Sequence, residues 1–193
     1  MTDSTWLVIG LGNPGPEYKN TRHNVGAMVI EKTLNDLGEK LSFNKKVNAD
    51  ICETRVGPNK VIVATLRSYM NESGGPTSAL VNFFKIPVEN IIVLHDELDL
   101  GFGEIRIKPG GGDNGHNGLK SIRASIDSGE FVRVRLGIGR PPGQADPADF
   151  VLKPFNFYEK SQMDEYLSLG VKSVSDIVNY GVSQAQNLNN GNA

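Results

Sequence analysis

The stretch Trp6-Leu-Val-Ile-Gly-Leu11, then Gly12-Asn-Pro-Gly-Pro-Glu-Tyr-Lys-Asn20, then Thr21-Arg-His-Asn-Val-Gly-Ala-Met-Val-Ile-Glu-Lys-Thr-Leu-Asn-Asp-Leu37 decides the fold class. The first six residues form a short, wholly apolar run, the mark of a strand covered on both faces. Two prolines and two glycines between Gly12 and Asn20 force a loop. Asn20 or Thr21 can cap a helix running to Leu37, with Ala27, Ile30, Leu34 and Leu37 at helical spacing and Gly38 as its stop. A buried strand that feeds a loop and then a helix is the opening unit of an α/β protein.

The rest of the chain continues that pattern. Residues 48–56 and 60–66 read as a hairpin around Gly57-Pro58-Asn59, 75–85 as a helix, and 91–95 as a second buried strand ending in His95-Asp96. Two segments alternate: in 104–108 Ile105 and Ile107 share one face, and in 131–138 Val132, Val134, Leu136 and Ile138 do. A helix over 117–126 lies between them. Residues 139–149, rich in Pro, Gly and Asp, read as a mobile loop. Residues 158–180 read as one acidic amphipathic helix with Met163, Tyr166, Leu167, Val171, Val174, Ile177 and Val178 on its stripe. The tail 187–193 is polar and reads as frayed. With no repeat and no linker, residues 1–193 form a single α/β domain, a twisted mixed sheet flanked by helices.

Composition narrows the class. The 193 residues are 38% hydrophobic and 22% charged, with a net charge of −2. No apolar run approaches the roughly 18 residues of a membrane span, and the N-terminus lacks a secretory pattern. Cys52, the one cysteine, lies in a strand and reads as packing. These features point to a cytoplasmic protein with no membrane partner. From Ile105 to Arg140 seven basic residues (Arg106, Lys108, Lys120, Arg123, Arg133, Arg135, Arg140) face three acids (Asp113, Asp127, Glu130). That basic stretch in an acidic chain is compatible with an anionic partner.

Strand ends carry the unusual polar residues. The first strand delivers Asn13, the one at 61–66 is followed by Met70-Asn71, and the one at 91–95 delivers Asp96. Ligands of open α/β sheets bind beyond the carboxyl ends of the strands, so parallel neighbours would bring these residues to one rim. His23, at the helix start, falls on the same rim, as does His116-Asn117 after the glycine-rich loop. A neutral imidazole held by a carboxylate is a general base, and Asp96 is the candidate to hold His23. The helix N-terminus disfavours an imidazolium and the carboxylate favours it; the sequence leaves the balance open. Asparagine amides at positions 13, 71 and 117 suit an oxyanion without adding charge. His95 alternates away from Asp96 and reads as structural.

Other chemistries fit less well. Gly10-Leu-Gly-Asn-Pro-Gly15 matches a dinucleotide fingerprint, but Pro14 and Pro16 delay the helix that a pyrophosphate needs. Gly181-Val-Ser-Gln-Ala185 lacks the strand of a nucleophile elbow, and Ser73 lacks its first glycine. The three histidines and Cys52 show no metal-ligand spacing, so no metal is expected.

Six ordered blocks carry a resemblance. They are Gly-Leu-Gly-Asn-Pro-Gly (10–15), Tyr18 with Thr-Arg-His-Asn-Val-Gly (21–26), Met-Asn-Glu-Ser-Gly (70–74), His-Asp-Glu-Leu-Asp-Leu (95–100), Gly-Gly-Gly…Gly-His-Asn-Gly-Leu-Lys (110–120) and Arg-Leu-Gly-Ile-Gly-Arg-Pro (135–141). Together they resemble the bacterial-type peptidyl-tRNA hydrolase. The resemblance implies a monomeric cytoplasmic enzyme, with no cofactor, metal or obligate protein partner, that cleaves the ester between a peptide and the 3′-terminal ribose of tRNA. By the same matching His23 is the base that activates water and Asp96 orients it. Asn71 and Asn117 bind the ester region and the terminal nucleotide, with Asn71 at the oxyanion. Asn13, Tyr18, Met70 and His116 line the cleft. Lys108 and Arg135 resemble a clamp on the tRNA 5′-phosphate, and Lys120 and Arg123 could add backbone contacts. Two departures stand out: Asp113-Asn114 in the glycine-rich loop, and Gln144 where some relatives carry lysine. The alternative from another class is a paralogue that binds RNA without cutting it.

Overall fold

The computed structural model describes residues 4–190. Among them β1 (Thr5–Gly10) leads to α1 (Val25–Leu37), followed by β2 (Ser42–Asn44), β3 (Ala49–Val56) and β4 (Asn59–Leu66). Then come α2 (Gly74–Phe84), β5 (Ile91–Glu97), β6 (Ile105–Pro109), α3 (Asn117–Ile126) and β7 (Val132–Gly137). Four helices end the described chain: α4 (Pro147–Val151), α5 (Phe157–Ser161), α6 (Met163–Tyr180) and α7 (Val182–Asn189). The strands form one seven-stranded sheet in the order β2-β3-β4-β1-β5-β7-β6. β1 is parallel to β4 and β5, and β5 is parallel to β7. β2, β3 and β6 pair antiparallel. The expected single domain with a mixed, helix-flanked sheet is present.

Strand alternation builds two cores. Trp6 and Val8 of β1, Leu94 of β5 and Leu136 of β7 pack under α1 and α6. Leu7, Ile9, Leu11 and Val93 face the other way, against α2 and α3. Two glycines bring α1 close to the sheet. A Cβ at Gly26 would lie 2.2 Å from the Leu94 carbonyl oxygen, and one at Gly10 would lie 2.4 Å from that of Gly26. Only hydrogen fits at these contacts, which draw the start of α1 against the end of β5.

Several expected elements differ in detail. The helix expected from Thr21 begins as a 3-10 turn, Arg22–Asn24, because Thr21 donates its hydroxyl to Tyr18 O at 2.8 Å rather than capping. The buried stripe of α1 is Val25, Gly26, Val29, Ile30 and Leu34, and Leu37 is 49% exposed. The helix expected over 158–180 is two. Asn156 and Glu159 form a capping box that starts α5 as a unit of its own. The loop at 139–149 ends in α4, where Asp146 accepts from Ala148 N and Pro147 opens the helix. The tail is not frayed over 187–190. Asn190 accepts from Ile107 N at 2.7 Å and donates to Ile107 O at 2.8 Å, so one carboxamide occupies the open edge of β6 as a partner strand would. Residues 191–193 lie outside the described residues.

Candidate active site

Parallel alignment of β4, β1 and β5 brings three carboxyl ends to one rim. Asn13 follows β1. Its Oδ1 accepts from Met70 N at 2.7 Å and ties the first loop to the segment after β4. The Asn24 carboxamide accepts from Asn13 N at 2.9 Å and donates to Asn13 O at 3.0 Å. Asn13 is therefore held through both its main chain and its side chain.

Asp96, buried at the end of β5, meets two imidazoles. His23 Nδ1 lies 2.8 Å from Asp96 Oδ2 and 3.0 Å from Oδ1. His116 Nε2 lies 2.7 Å from Oδ1. The two histidines come from opposite faces of the sheet, His23 with α1 and His116 with α3, and their ring centroids are 5.0 Å apart. A carboxylate between two imidazoles accepts, so the facing nitrogens donate. His23 then carries its proton on Nδ1. Its Nε2 makes no hydrogen bond among the described residues and is not among the polar atoms sealed from solvent. Burial alone would raise the Asp96 carboxyl pKa, but the neighbouring His23 and His116 outweigh it and hold the group well below the usual carboxylate range.

His95 is structural in position, as expected. It is buried, and its Nδ1 donates to Asp96 O at 2.9 Å. Burial, reinforced by neighbouring His116, lowers its pKa to about 3, so the ring is neutral.

The other expected residues lie on the loops that follow β1 and β4 and at the start of α3. Met70 is buried, and the start of α3 packs on it: a Cβ at Gly118 would lie 2.6 Å from its sulfur. Asn71 and Asn117, the residues following Met70 and His116, are both exposed. Tyr18 stands edge-on to Tyr69, with ring centroids 6.3 Å apart. Tyr69, 53% exposed, was missed at the sequence level; its place directly before Met70-Asn71 was the available signal. A cavity of about 750 Å³ lies behind this loop along α1, reaching Asn13 and Asn24 but none of His23, Asp96 or His116.

Lys108 and Arg135 line a separate cavity of about 340 Å³, with Glu97, Asn114 and buried Arg133. Much of the basic excess nearby is internally committed. Arg135 Nε donates to Glu97 at 3.1 Å, and Arg123 and Arg140 pair with Asp113 and Asp99. Arg133 holds the carbonyls of Gly111, Gly129 and Phe131. Among the described residues Arg106, Lys108 and Lys120 form no ion pair. The departure at Asp113-Asn114 has a local reason. Asp113 accepts from Gly115 N, and Asn114 donates to Glu97 and Asp99, fastening the glycine-rich loop to the end of β5. Glu97 was not singled out beforehand, although its two-residue offset from His95 places it on the basic face.

His23, Asp96 and His116 offer ligand atoms within 4.8 Å of one another, the one grouping among the described residues that could hold a metal ion. Of these groups, His23 Nδ1 and His116 Nε2 are engaged with the Asp96 carboxylate in N–H contacts of 2.8 and 2.7 Å. A cation bound through those two nitrogens would have to displace both protons.

Known proteins share this arrangement of chain and fold. The peptidyl-tRNA hydrolase of Rhodococcus erythropolis is 50% identical over 187 residues, which cover 97% of this chain and 98% of that one. That of Nocardia farcinica is 47% identical over 181 residues, 94% of each chain. The crystal structure of peptidyl-tRNA hydrolase from Acinetobacter baumannii matches with a TM-score of 0.90 at 36% identity, over 97% of this chain and 95% of that one. The Arabidopsis thaliana 5′-methylthioadenosine nucleosidase, with a TM-score of 0.52 at 9% identity, shares the fold alone. The family model described as peptidyl-tRNA hydrolase matches residues 7–193, and the chain belongs to that family.

Proposed function

We propose that this protein hydrolyses the ester joining a peptide to the 3′-terminal ribose of tRNA, with His23 as general base and without a metal. The observation that carries the reading is the polarity of one imidazole. His23 Nδ1 is bound to Asp96, while Nε2 has no protein partner among the described residues. Nε2 takes a proton from water as the water oxygen bonds to the ester carbonyl carbon. The oxyanion that forms is met by the exposed Asn71 amide. Collapse breaks the bond to the ribose oxygen, which recovers the proton from His23. Asn13, Tyr18, Met70, His116 and Asn117 form the cleft wall, and Lys108 with Arg135 takes the 5′-phosphate. The N–H to carboxylate contacts of the His23–Asp96–His116 group support chemistry without a metal.

The protein acts as a monomer in the cytoplasm, with no obligate protein partner. Both sheet edges support this: β2 is three residues long, and Asn190 occupies the edge of β6. The deciding experiment is release of the blocked amino acid from N-acetyl-aminoacyl-tRNA in the presence of EDTA. Wild type releases it; His23→Ala releases it at least about 10²-fold more slowly while still binding the RNA. A wild-type protein that binds the RNA but leaves the ester intact is a binding protein instead. Activity lost on EDTA treatment and restored by metal overturns the metal-free reading.

A further inference from the structure

His116 occupies an unusual position for a cleft residue. It is the N-cap of α3, and its Nδ1 accepts from Gly118 N at 3.1 Å and from Leu119 N at 3.3 Å. An imidazole nitrogen that accepts backbone N–H groups carries no proton. The proton of the neutral ring is therefore on Nε2, the atom 2.7 Å from Asp96 Oδ1. A second proton on Nδ1 would point at two N–H groups and at the positive end of α3. The edge of His95, itself neutral, packs at 5.1 Å between centroids. Both ring nitrogens are thus committed, and neither remains to hold substrate.

We infer that His116 is a positioning residue: locked by the start of α3 as its neutral Nε2–H tautomer, it donates permanently to Asp96 and thereby sets how readily the His23–Asp96 pair binds a proton. With one lone pair of the carboxylate already used, less negative charge remains to draw a proton onto His23. Without His116, a buried carboxylate would be served by His23 alone, and the pair as a unit would hold a proton to higher pH.

The surrounding groups do not substitute for it. On β5, Glu97 is engaged by Arg135 and Asn114. On β7, Arg133 is spent on carbonyls. Tyr166 of α6 donates to Gly137 O, and Arg22, beside His23, is paired with Glu159. Lys120 of α3 and Glu72 after Met70 are exposed.

The inference rests on His23 being the base, so its test has an arm independent of activity. Imidazole nitrogen NMR of the wild-type protein near neutral pH should show His116 as the Nε2–H tautomer and His23 as Nδ1–H. A His116 with Nδ1–H, or with both nitrogens protonated, overturns the inference even if hydrolysis is normal. In the kinetic arm, His116→Asn keeps an N-cap oxygen for α3 but cannot span to Asp96. The acidic limb of its kcat/KM profile should move up by about one pH unit, the size expected for one hydrogen bond to a charged group. The limb should move whatever the shortened cleft-wall side chain does to KM on the plateau. A raised KM with an unmoved limb would make His116 a substrate contact; a loss uniform across pH would make it merely structural. Either result overturns the inference. If wild type hydrolyses no ester, the functional reading falls while the tautomers still report on this one.

Discussion

Arg22 Nη2 lies 2.9 Å from Glu159 Oε2, joining the turn that carries His23 to a helix 137 residues later, with both partners buried. Arg22 Nη1 also donates to Pro154 O at 2.8 Å, and its guanidinium carbon lies 4.2 Å from the Phe150 ring centre. The pair thus fastens α4 and α5 beside the candidate site. Removing one partner strands the other charge. Arg22→Met should cost about 3–5 kcal/mol in urea unfolding, and adding Glu159→Met should recover part of it. A single-variant loss under about 1 kcal/mol would make the pair incidental.

Asp96 accepts from two imidazoles at once. An amide in its place has one oxygen and offers an N–H where a second acceptor is needed. One histidine must then lose its partner or change tautomer. Asp96→Asn should therefore lower kcat by about 10²–10⁴-fold, the range seen when a base is mis-set, while leaving tRNA affinity within a few fold. Single-turnover hydrolysis and filter binding measure the two separately. Turnover near wild type would reduce Asp96 to a structural residue.

Lys108 and Arg135 line one cavity but are held differently. Lys108 is exposed without an ion pair among the described residues, whereas Arg135 is tied to buried Glu97. Lys108→Ala should weaken tRNA binding and lower the slope of log affinity against log salt by about 0.7–0.9, with an unchanged melting temperature. Arg135→Ala should do the same and also destabilise the fold, because Glu97 loses its cation. An unaltered salt slope in both variants would remove them from the phosphate contact.

The elements that position the site were readable because their signals are local. The apolar run before Asn13, the loop prolines and the residues around His23 lie within about 30 positions of one another. Gly26 was visible as part of a motif, but its reason, contact with the Leu94 carbonyl, needs β5 beside α1. The same holds for Arg22 with Glu159, Asn190 with Ile107 and Asn114 with Glu97. Each joins polar groups whose pairing no periodicity records. The start of α5 did have a local sign, the Asn156-x-x-Glu159 box; the break from α6 falls at Gln162, whose N–H turns back to Glu159 O and Lys160 O directly before the stripe that begins at Met163. The basic excess in 105–140 was compatible with an anionic partner. The structure spends Arg133 on the Gly111 and Gly129 carbonyls and pairs Arg123, Arg135 and Arg140 with acids, which leaves few of those cations uncommitted among the described residues.

His95 makes stability depend on pH in a definite window. Burial, followed by His116 nearby, lowers its folded pKa to about 3, against an ordinary value near 6.5. Between these values the unfolded chain binds a proton that the folded chain refuses. Its stabilising contribution is therefore fully present above pH 6.5 and declines as pH falls towards 3, at up to about 1.4 kcal/mol per pH unit. Asp96, whose folded pKa is also depressed, adds a loss that begins only near pH 4. Above about pH 4.5 that loss is absent, and the difference between wild type and a His95 variant over about pH 4.5 to 6, with His23 and His116 common to both, reports on His95. His95→Phe keeps an aromatic ring against His116 and gives up the hydrogen bond to Asp96 O. It should be less stable at pH 7.5, yet lose stability more gradually on acidification by about one bound proton. Urea unfolding of both proteins at half-unit pH steps gives the two slopes, and parallel slopes would mean that His95 takes up its proton while the protein is still folded.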